Sequence, residues 1–345
     1  MQEQLSDRER TILRSIIYSF IQTATPIGSR YIAKHHEIGL SPATVRNVMS
    51  DLEYLGYIGH PHTSSGRVPT DKGYRFYVDS LMEVEMLSEA DRQIIQTQLQ
   101  SGIDQENLFR LTSKLIGAIS HQLGVVSAPR LNTGVLDKLE LVPLSGTRIL
   151  VVISIRSGLI KTITMEVSSE LPRTKLDDVS RLLNERLSGL QLSEIRTTLG
   201  DRVQQEMHDD ETGLIRLFID SVDKIFDEQR TIEKVHIGGT AGILSQPEFE
   251  HADHYRSVIE LLENEDMIVH VLEKTETKDG VIAVSIGNEN DIKQLKEYSV
   301  VTSTYTVGSS TGSVGIIGTK RMNYSKMIPL VDYVAKTISG MFSAH

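Results

Sequence analysis

Apolar positions recur every three to four residues near the start of the chain, at Ile12, Ile16, Ile17 and Phe20. That spacing predicts a helix over 6–23. Ser6 stands at its cap position, with Glu9 three residues later as the reciprocal partner. TPIG at 25–28 breaks the pattern, and SRYIAKHH at 29–36 predicts a second short helix that Gly39 ends. Ser41 caps a third, with Pro42 at its first helical position. This helix runs to about Leu55, and Gly56 stops it. A short apolar segment, the loop HPHTSSGRVPT and the run VPTDKGY follow. Three short helices and a hairpin make the plan of a winged helix-turn-helix.

Helical spacing returns over 70–86, with Tyr74, Tyr77, Val78, Leu81 and Met82 apolar. The polar run SEADRQ at 88–93 marks a boundary, so 1–86 reads as a head and 87–104 as a linker. Leu108, Leu111, Leu115 and Ile119 predict a helix over 105–123. The period then shortens. LELVPL, RILVVISI and LIKTITMEV read as strands, with Ser145-Gly146 and Ser157-Gly158 as tight hairpins. From 168 to 230 every segment is helical, one stripe formed by Leu176, Val179, Leu183, Leu187 and Leu190, another by Leu214, Leu217, Phe218, Val222 and Phe226. VHIGG, MIVHVL, VIAVSI, SVVTSTYT and SVGIIG read as strands again, and a last helix covers about 324–341. The pattern predicts an α+β multidomain chain: a head, then one antiparallel sheet split into 105–167 and 231–345 by an all-helical insertion at 168–230. Two unrelated sheets is the weaker alternative.

On a helical wheel for 41–55, Val45, Val48, Met49, Leu52 and Leu55 share one face, which must be buried. Ala43, Asn47, Ser50 and Tyr54 lie opposite, with Thr44 and Arg46 on the flanks. The outward face beside Ser41 is small and rich in hydrogen-bonding groups, as close approach to base edges requires. Asn pairs bidentately with adenine, Arg with guanine, and Ala or Thr methyls meet the thymine methyl. Asp51 and Glu53 lie in the C-terminal half, which points away from the bases in such docking. Arg67 beside Gly66 reads as a wing-tip residue for a minor groove or a phosphate. The DNA-binding set is therefore Ser41, Ala43, Thr44, Arg46, Asn47, Ser50, Tyr54 and Arg67.

A net charge of −10 argues against a nucleic-acid binder until its distribution is read. Residues 1–82 carry nine Lys/Arg against eight Asp/Glu, a balance of +1, so the remainder holds −11. Local potential governs DNA binding, and the acidic body leaves the head near neutral. With no cysteine, disulfides, thiolate catalysis and Cys-based zinc sites are excluded. The start MQEQLSDRER lacks a signal-peptide pattern, and the longest apolar run, ILVVISI, falls far short of the roughly 20 residues of a membrane span. The expectation is a cytoplasmic protein with no membrane partner.

The run SPATVRNVMSDLEYLGYIGHPHTSSGRVPTDKGYRFYVD closely resembles the HrcA family of bacterial heat-inducible transcription repressors. GSVGIIGTKRMNYSKMIPLVDYVAKTIS resembles the C-terminal region of the same family, and with matching length and order the resemblance covers essentially the whole chain. Thr319, where the family wording leads one to expect Pro, is a departure that leaves the assignment intact. The resemblance implies a winged-helix head, a GAF-like α/β domain and a helical dimerising insertion within it. It also implies double-stranded DNA as partner, through an inverted repeat called CIRCE at chaperone operons, a homodimer, and dependence on the GroE chaperonin. On that reading Leu183 and Leu187 of the insertion form a stripe that meets its copy across a two-fold axis.

Other motifs carry less. VHIGGTAGIL at 235–244 is neither GxGxxG nor a phosphate-binding loop, and reads as a turn beside a packed helix. His251 with Asp253 and His254, His208 with Asp209 and Asp210, and the His60-Pro-His62 pair lack metal-site logic and read as solvated polar groups. No catalytic set emerges from the 46 acidic residues, and no cofactor or metal is expected. Two alternatives remain: a winged-helix regulator that senses a ligand in a GAF-like pocket, and an enzyme with an accessory winged helix.

Overall fold

In the computed structural model, residues 5–60, 66–100, 105–131, 133–205, 210, 212–226, 235–250, 252–274 and 280–343 are described. The head begins with α1 (Asp7–Thr23), whose capping box is formed: the Glu9 amide donates to Ser6 Oγ and the Ser6 amide to Glu9 Oε2. Helices α2 (Ser29–His35) and α3 (Pro42–Tyr54) follow, then the two-residue strands β1 (Ile58–Gly59) and β2 (Val68–Pro69) and helix α4 (Asp71–Ser80). β1 and β2 pair antiparallel as the two sides of the wing. Ile12, Ile16, Val45, Leu52 and Ile58 are buried together, so the apolar stripes read along the chain do form one core.

The part of the expected linker that is described, 87–100, is largely helical. Residues 89–100 form helix α5 (Glu89–Gln100), which buries Ile95 and Leu99 completely. The polar run at 88–93 is the solvent face of its first turn, with the Ser88 hydroxyl accepting from the Asp91 amide at 3.0 Å. Helix α6 (Gln105–Ser120) is three residues shorter than expected, because β3 (Leu123–Ser127) begins at once.

The single split sheet is also corrected. β4 (Leu136–Ser145), β5 (Arg148–Ile155) and β6 (Ile160–Glu166) pair only with one another, as a three-stranded antiparallel sheet joined by the two expected hairpins. This sheet packs on α7 (Arg173–Leu187), with α8 (Leu192–Arg202), α9 (Leu214–Asp220) and α10 (Val222–Phe226) beside it, burying Leu139, Val151, Leu183 and Ile195. Asn184 ties α7 to β4: its Oδ1 accepts from the Leu139 amide and its Nδ2 donates to the Leu139 carbonyl, both at 2.7 Å. The insertion therefore starts at about residue 128, before the strands, rather than at 168.

The main sheet is built from β3, β7 (Val235–Gly238), β8 (Ala283–Ile286), β9 (Tyr298–Val307) and β10 (Ser310–Thr319), in the order β7-β3-β10-β9-β8. Short α11 (Thr240–Leu244), α12 (Ala252–Glu263) and α13 (Glu265–Lys274) cover one face, and α14 (Tyr324–Ser343) packs on the other side with α6 and α5. MIVHVL, expected as a strand, lies in α13: Ile268, Val271 and Leu272 are buried, a three-to-four spacing that a hexapeptide with one polar residue, His270, does not reveal.

The first turns of α4, with the sequence TDKGYR, fasten the head to this body. Asp71 accepts from the Asn288 amide at 2.9 Å and from Asn288 Nδ2 at 2.8 Å, with Lys320 Nζ 3.3 Å away. Gly287, at φ +55, leaves the space: a Cβ there would lie 2.2 Å from Asp71 Oδ2. Arg75 grips Glu289 with two nitrogens and donates to the Val284 carbonyl at 2.7 Å. From the body, Arg321 Nη1 donates to the Ile21 carbonyl of α1 at 2.6 Å.

Candidate DNA-recognition surface

Helix α3 carries the proposed reading face. The Ser41 hydroxyl accepts from the Thr44 amide at 3.1 Å, and Pro42 takes a position whose missing N–H costs nothing. Val45, Val48, Met49 and Leu52 are buried against α1 and α2, which fixes the rotation of the helix. Ser41, Ala43, Arg46, Asn47 and Ser50 are thereby exposed, Thr44 is half-buried, and Tyr54 stands out at 92% exposure. Arg46 and Asn47 have no side-chain partner among the described residues. A charged fork and an amide are thus held on a rigid element without a competing partner, as base readout needs. Ser50 is less free, since its hydroxyl donates to the Arg46 carbonyl at 3.1 Å.

Arg67 is the residue whose place changes. It sits at the root of the wing, with a side chain only 19% exposed. Its amide and carbonyl pair with Ile27 at 2.9 Å, and Gly66 beside it admits no side chain, because a Cβ would lie 2.6 Å from the Pro26 carbonyl carbon. Its guanidinium holds the Glu53 carboxylate at 2.8 Å and meets His60 Nδ1 at 3.0 Å, while His60 Nε2 lies 3.0 Å from Glu53. The cluster joins the wing to α3 and pairs Glu53, one of the two acids in the C-terminal half of that helix, with a cation. The tip itself, 61–65, which includes His62, lies outside the described residues, as do His208, Asp209 and His251.

Leu183 and Leu187 are corrected too. Both are fully buried within the chain, where α7 lies against β4, so neither side chain is available to a second copy. The three-stranded sheet covers this stripe, with α7 packed on β4. The glycines of VHIGGTAGIL serve packing: a Cβ at Gly238 would lie 2.5 Å from Lys114, and one at Gly239 2.1 Å from the Gln122 carbonyl.

Two residues escaped the sequence reading. Arg30 and Lys34 lie four apart on α2, both exposed and without a partner among the described residues. Their i, i+4 spacing on the helix that precedes the recognition helix was the available signal.

Comparison with known proteins bears on this geometry directly. A family model described as "Winged helix-turn-helix transcription repressor, HrcA DNA-binding" matches residues 4–80, and one described as "HrcA protein C terminal domain" matches residues 106–328. The chain belongs to the HrcA family. A heat-inducible transcription repressor HrcA of Chlorobium phaeobacteroides (strain BS1) is 41% identical, over 99% of this chain and 100% of that protein. Its counterpart from Chlorobium chlorochromatii (strain CaD3) is 41% identical over 99% and 98%. A crystal structure described as that of a hypothetical protein at 2.2 Å resolution matches with a TM-score of 0.62 and 25% identity, covering 99% of each chain. As a member of the HrcA family, the chain is a DNA-binding transcription repressor, a role that needs no catalytic residue. Among the described residues, no helix is long and apolar enough to cross a membrane.

Proposed function

We propose that the chain is a dimeric repressor of heat-shock chaperone genes that works in the cytoplasm and binds an inverted-repeat operator of the CIRCE type. The observation that carries this reading is the exposed pair Arg46 and Asn47, without side-chain partners among the described residues, on a recognition helix whose rotation is fixed by its buried face. In this account Asn47 and Arg46 read bases, while Ser41, Ala43, Thr44, Ser50 and Tyr54 supply close packing and phosphate contacts. Arg30 and Lys34 steady the head on the backbone, and Arg67 orients the wing. One head offers few base contacts, and two heads related by a dyad match the symmetry of an inverted repeat. Selection from random DNA tests this: the expected product is an inverted repeat, and a single asymmetric site would contradict it.

Dependence on the GroE chaperonin has a physical rationale in the main sheet. β3 pairs with β7 and β10, so segments around 125, 237 and 316 must meet before the sheet exists. Such non-local pairing is slow and leaves strand edges open during folding. A chaperonin that captures these intermediates sets the fraction of active repressor, and heat-damaged clients compete for it. GroE is expected to raise the yield of operator-binding protein after dilution from denaturant, and an excess of another unfolded client to cancel the gain. Full recovery without chaperonin, unaffected by client load, would leave the ligand-sensing alternative ahead.

A further inference from the structure

Residues 82–88 carry the chain from α4 of the head to α5 of the body without regular secondary structure. Val84 and Met86, in the middle of this strap, are 59% and 84% exposed, so burial does not hold that part in place. Polar contacts do. Glu83 Oε1 meets Arg14 Nη2 of α1 at 2.8 Å. The Glu85 amide donates to the Ser325 carbonyl, in the first turn of α14, at 3.0 Å. That carbonyl is available because of Pro329. In a regular helix the amide of residue 329 would bond to it, and proline has no N–H to give. The Glu85 carboxylate completes the joint. Its Oε1 accepts from the Ser325 hydroxyl at 2.5 Å and lies 3.4 Å from Asn323 Nδ2, beside a helix N-terminus that favours negative charge. Ser325 is buried, so water competes little for these bonds.

We propose that Glu85, Ser325 and Pro329 form a joint that sets the angle of the head on the body, and that this angle fixes the spacing at which two heads meet two half-sites. Glu85 and Pro329 are thus positioning residues for DNA recognition, remote from the reading face. The spacing half of the inference rests on the paired-operator reading; the joint itself does not. The other head–body contacts lie elsewhere: Asp71 and Arg75 reach Asn288 and Glu289 after β8, and Arg321 reaches Ile21 near the end of α1. Three separated anchors define an orientation, whereas two leave an axis about which the head turns. The strap anchor also lies on the covalent path out of the head. Half-sites turn relative to each other by about 34° for each base pair between them, so an angle held by the protein selects one spacing.

Because the chain has no cysteine, Arg8→Cys on α1 and Gln294→Cys on the body, both exposed positions, supply one pair of spin-label sites. Distances within the full chain, diluted with unlabelled protein, are read without DNA. The parent should give one narrow distribution. Glu85→Ala removes the carboxylate, and Pro329→Ala returns an amide that competes for the Ser325 carbonyl, so each should widen it at least about twofold. Alanine is a better helix former than proline, so Pro329→Ala should melt no lower than the parent, which separates a freed joint from a lost fold. The second measurement is affinity for operators of varied half-site spacing. The parent should lose at least about tenfold when two base pairs are added or removed, and both variants less than about threefold. Distributions as narrow as the parent's in both variants would overturn the joint. Wider ones with the parent's spacing preference would overturn its role in spacing. A parent indifferent to spacing would count against the paired-operator reading, while the distances would still decide the joint.

Discussion

Cutting the Arg75–Glu289 grip should loosen the head from the body without touching the DNA-reading face. Arg75 donates through Nε to Glu289 Oε1 at 2.8 Å and through a second nitrogen to Oε2, with a further bond to the Val284 carbonyl. The two side chains are 30% and 36% exposed, so the pair lies between the surface and buried limits. Exposed pairs contribute about 0.2–1 kcal/mol, while breaking a buried pair costs about 3–5 kcal/mol. With a third of each side chain in water, a coupling of about 1–2 kcal/mol is expected. Single substitutions cost more than the coupling, because Arg75→Ala also drops the Val284 bond and Glu289→Ala frees the Ile286 amide that Glu289 holds at 2.9 Å. The double-mutant cycle removes those terms. Calorimetric unfolding of the parent, both single variants and the pair supplies the four values, and the head transition should move to lower temperature in every variant. Strict additivity, with coupling below about 0.3 kcal/mol, would show that this contact does not fasten the head.

Leu183→Ala should lower stability by about 2–5 kcal/mol, as for other fully buried leucines, while sedimentation shows the same assembly state as the parent; a stable, folded monomer would return Leu183 to an interface. His36, whose Nε2 lies 2.8 Å from the Ser19 hydroxyl, is held below its ordinary value of 6.5 by burial and then by neighbouring His35. The unfolded chain therefore takes up the proton first, so this contribution is full above pH 6.5 and is lost as pH falls through the folded value. Head unfolding followed by circular dichroism should show that loss in the parent and not in His36→Gln; identical pH profiles would remove His36 from the account. Ser41→Ala should cost about 1 kcal/mol through loss of the helix cap, and a change within error would mean that Pro42 alone sets the start of α3.

The head was legible because each of its signals is local. Ser6 with Glu9, and Ser41 with Pro42, mark helix starts by chemistry within one turn, and the stripe at Val45, Val48, Met49 and Leu52 orients α3 without reference to the rest of the chain. The body was harder for reasons that are equally physical. MIVHVL offers a single polar position, His270, too little to fix a period, so strand and buried helix look alike, and Leu123–Ser127 is a fully buried strand that continues a helical stripe without a break. Sheet membership is a long-range property: nothing within 136–166 states that its strands pair only among themselves. Exposed Asn47 and Arg46 followed from the wheel, whereas the ion pair that draws Arg67 to Glu53 joins residues fourteen apart across a turn, and periodicity is silent on such a contact.

Operator binding by Asn47→Ala, measured against the selected site and against every single-base variant of it, tests the central claim most directly. The account places Asn47 on base edges, so the substitution should cost about 1–3 kcal/mol on the full site and relax discrimination at one position in each half-site. Binding to unrelated DNA and its salt dependence should stay as in the parent, because no phosphate contact is lost. Undiminished affinity with the same preference at every position would contradict the account, since it would take the exposed face of α3 out of DNA recognition.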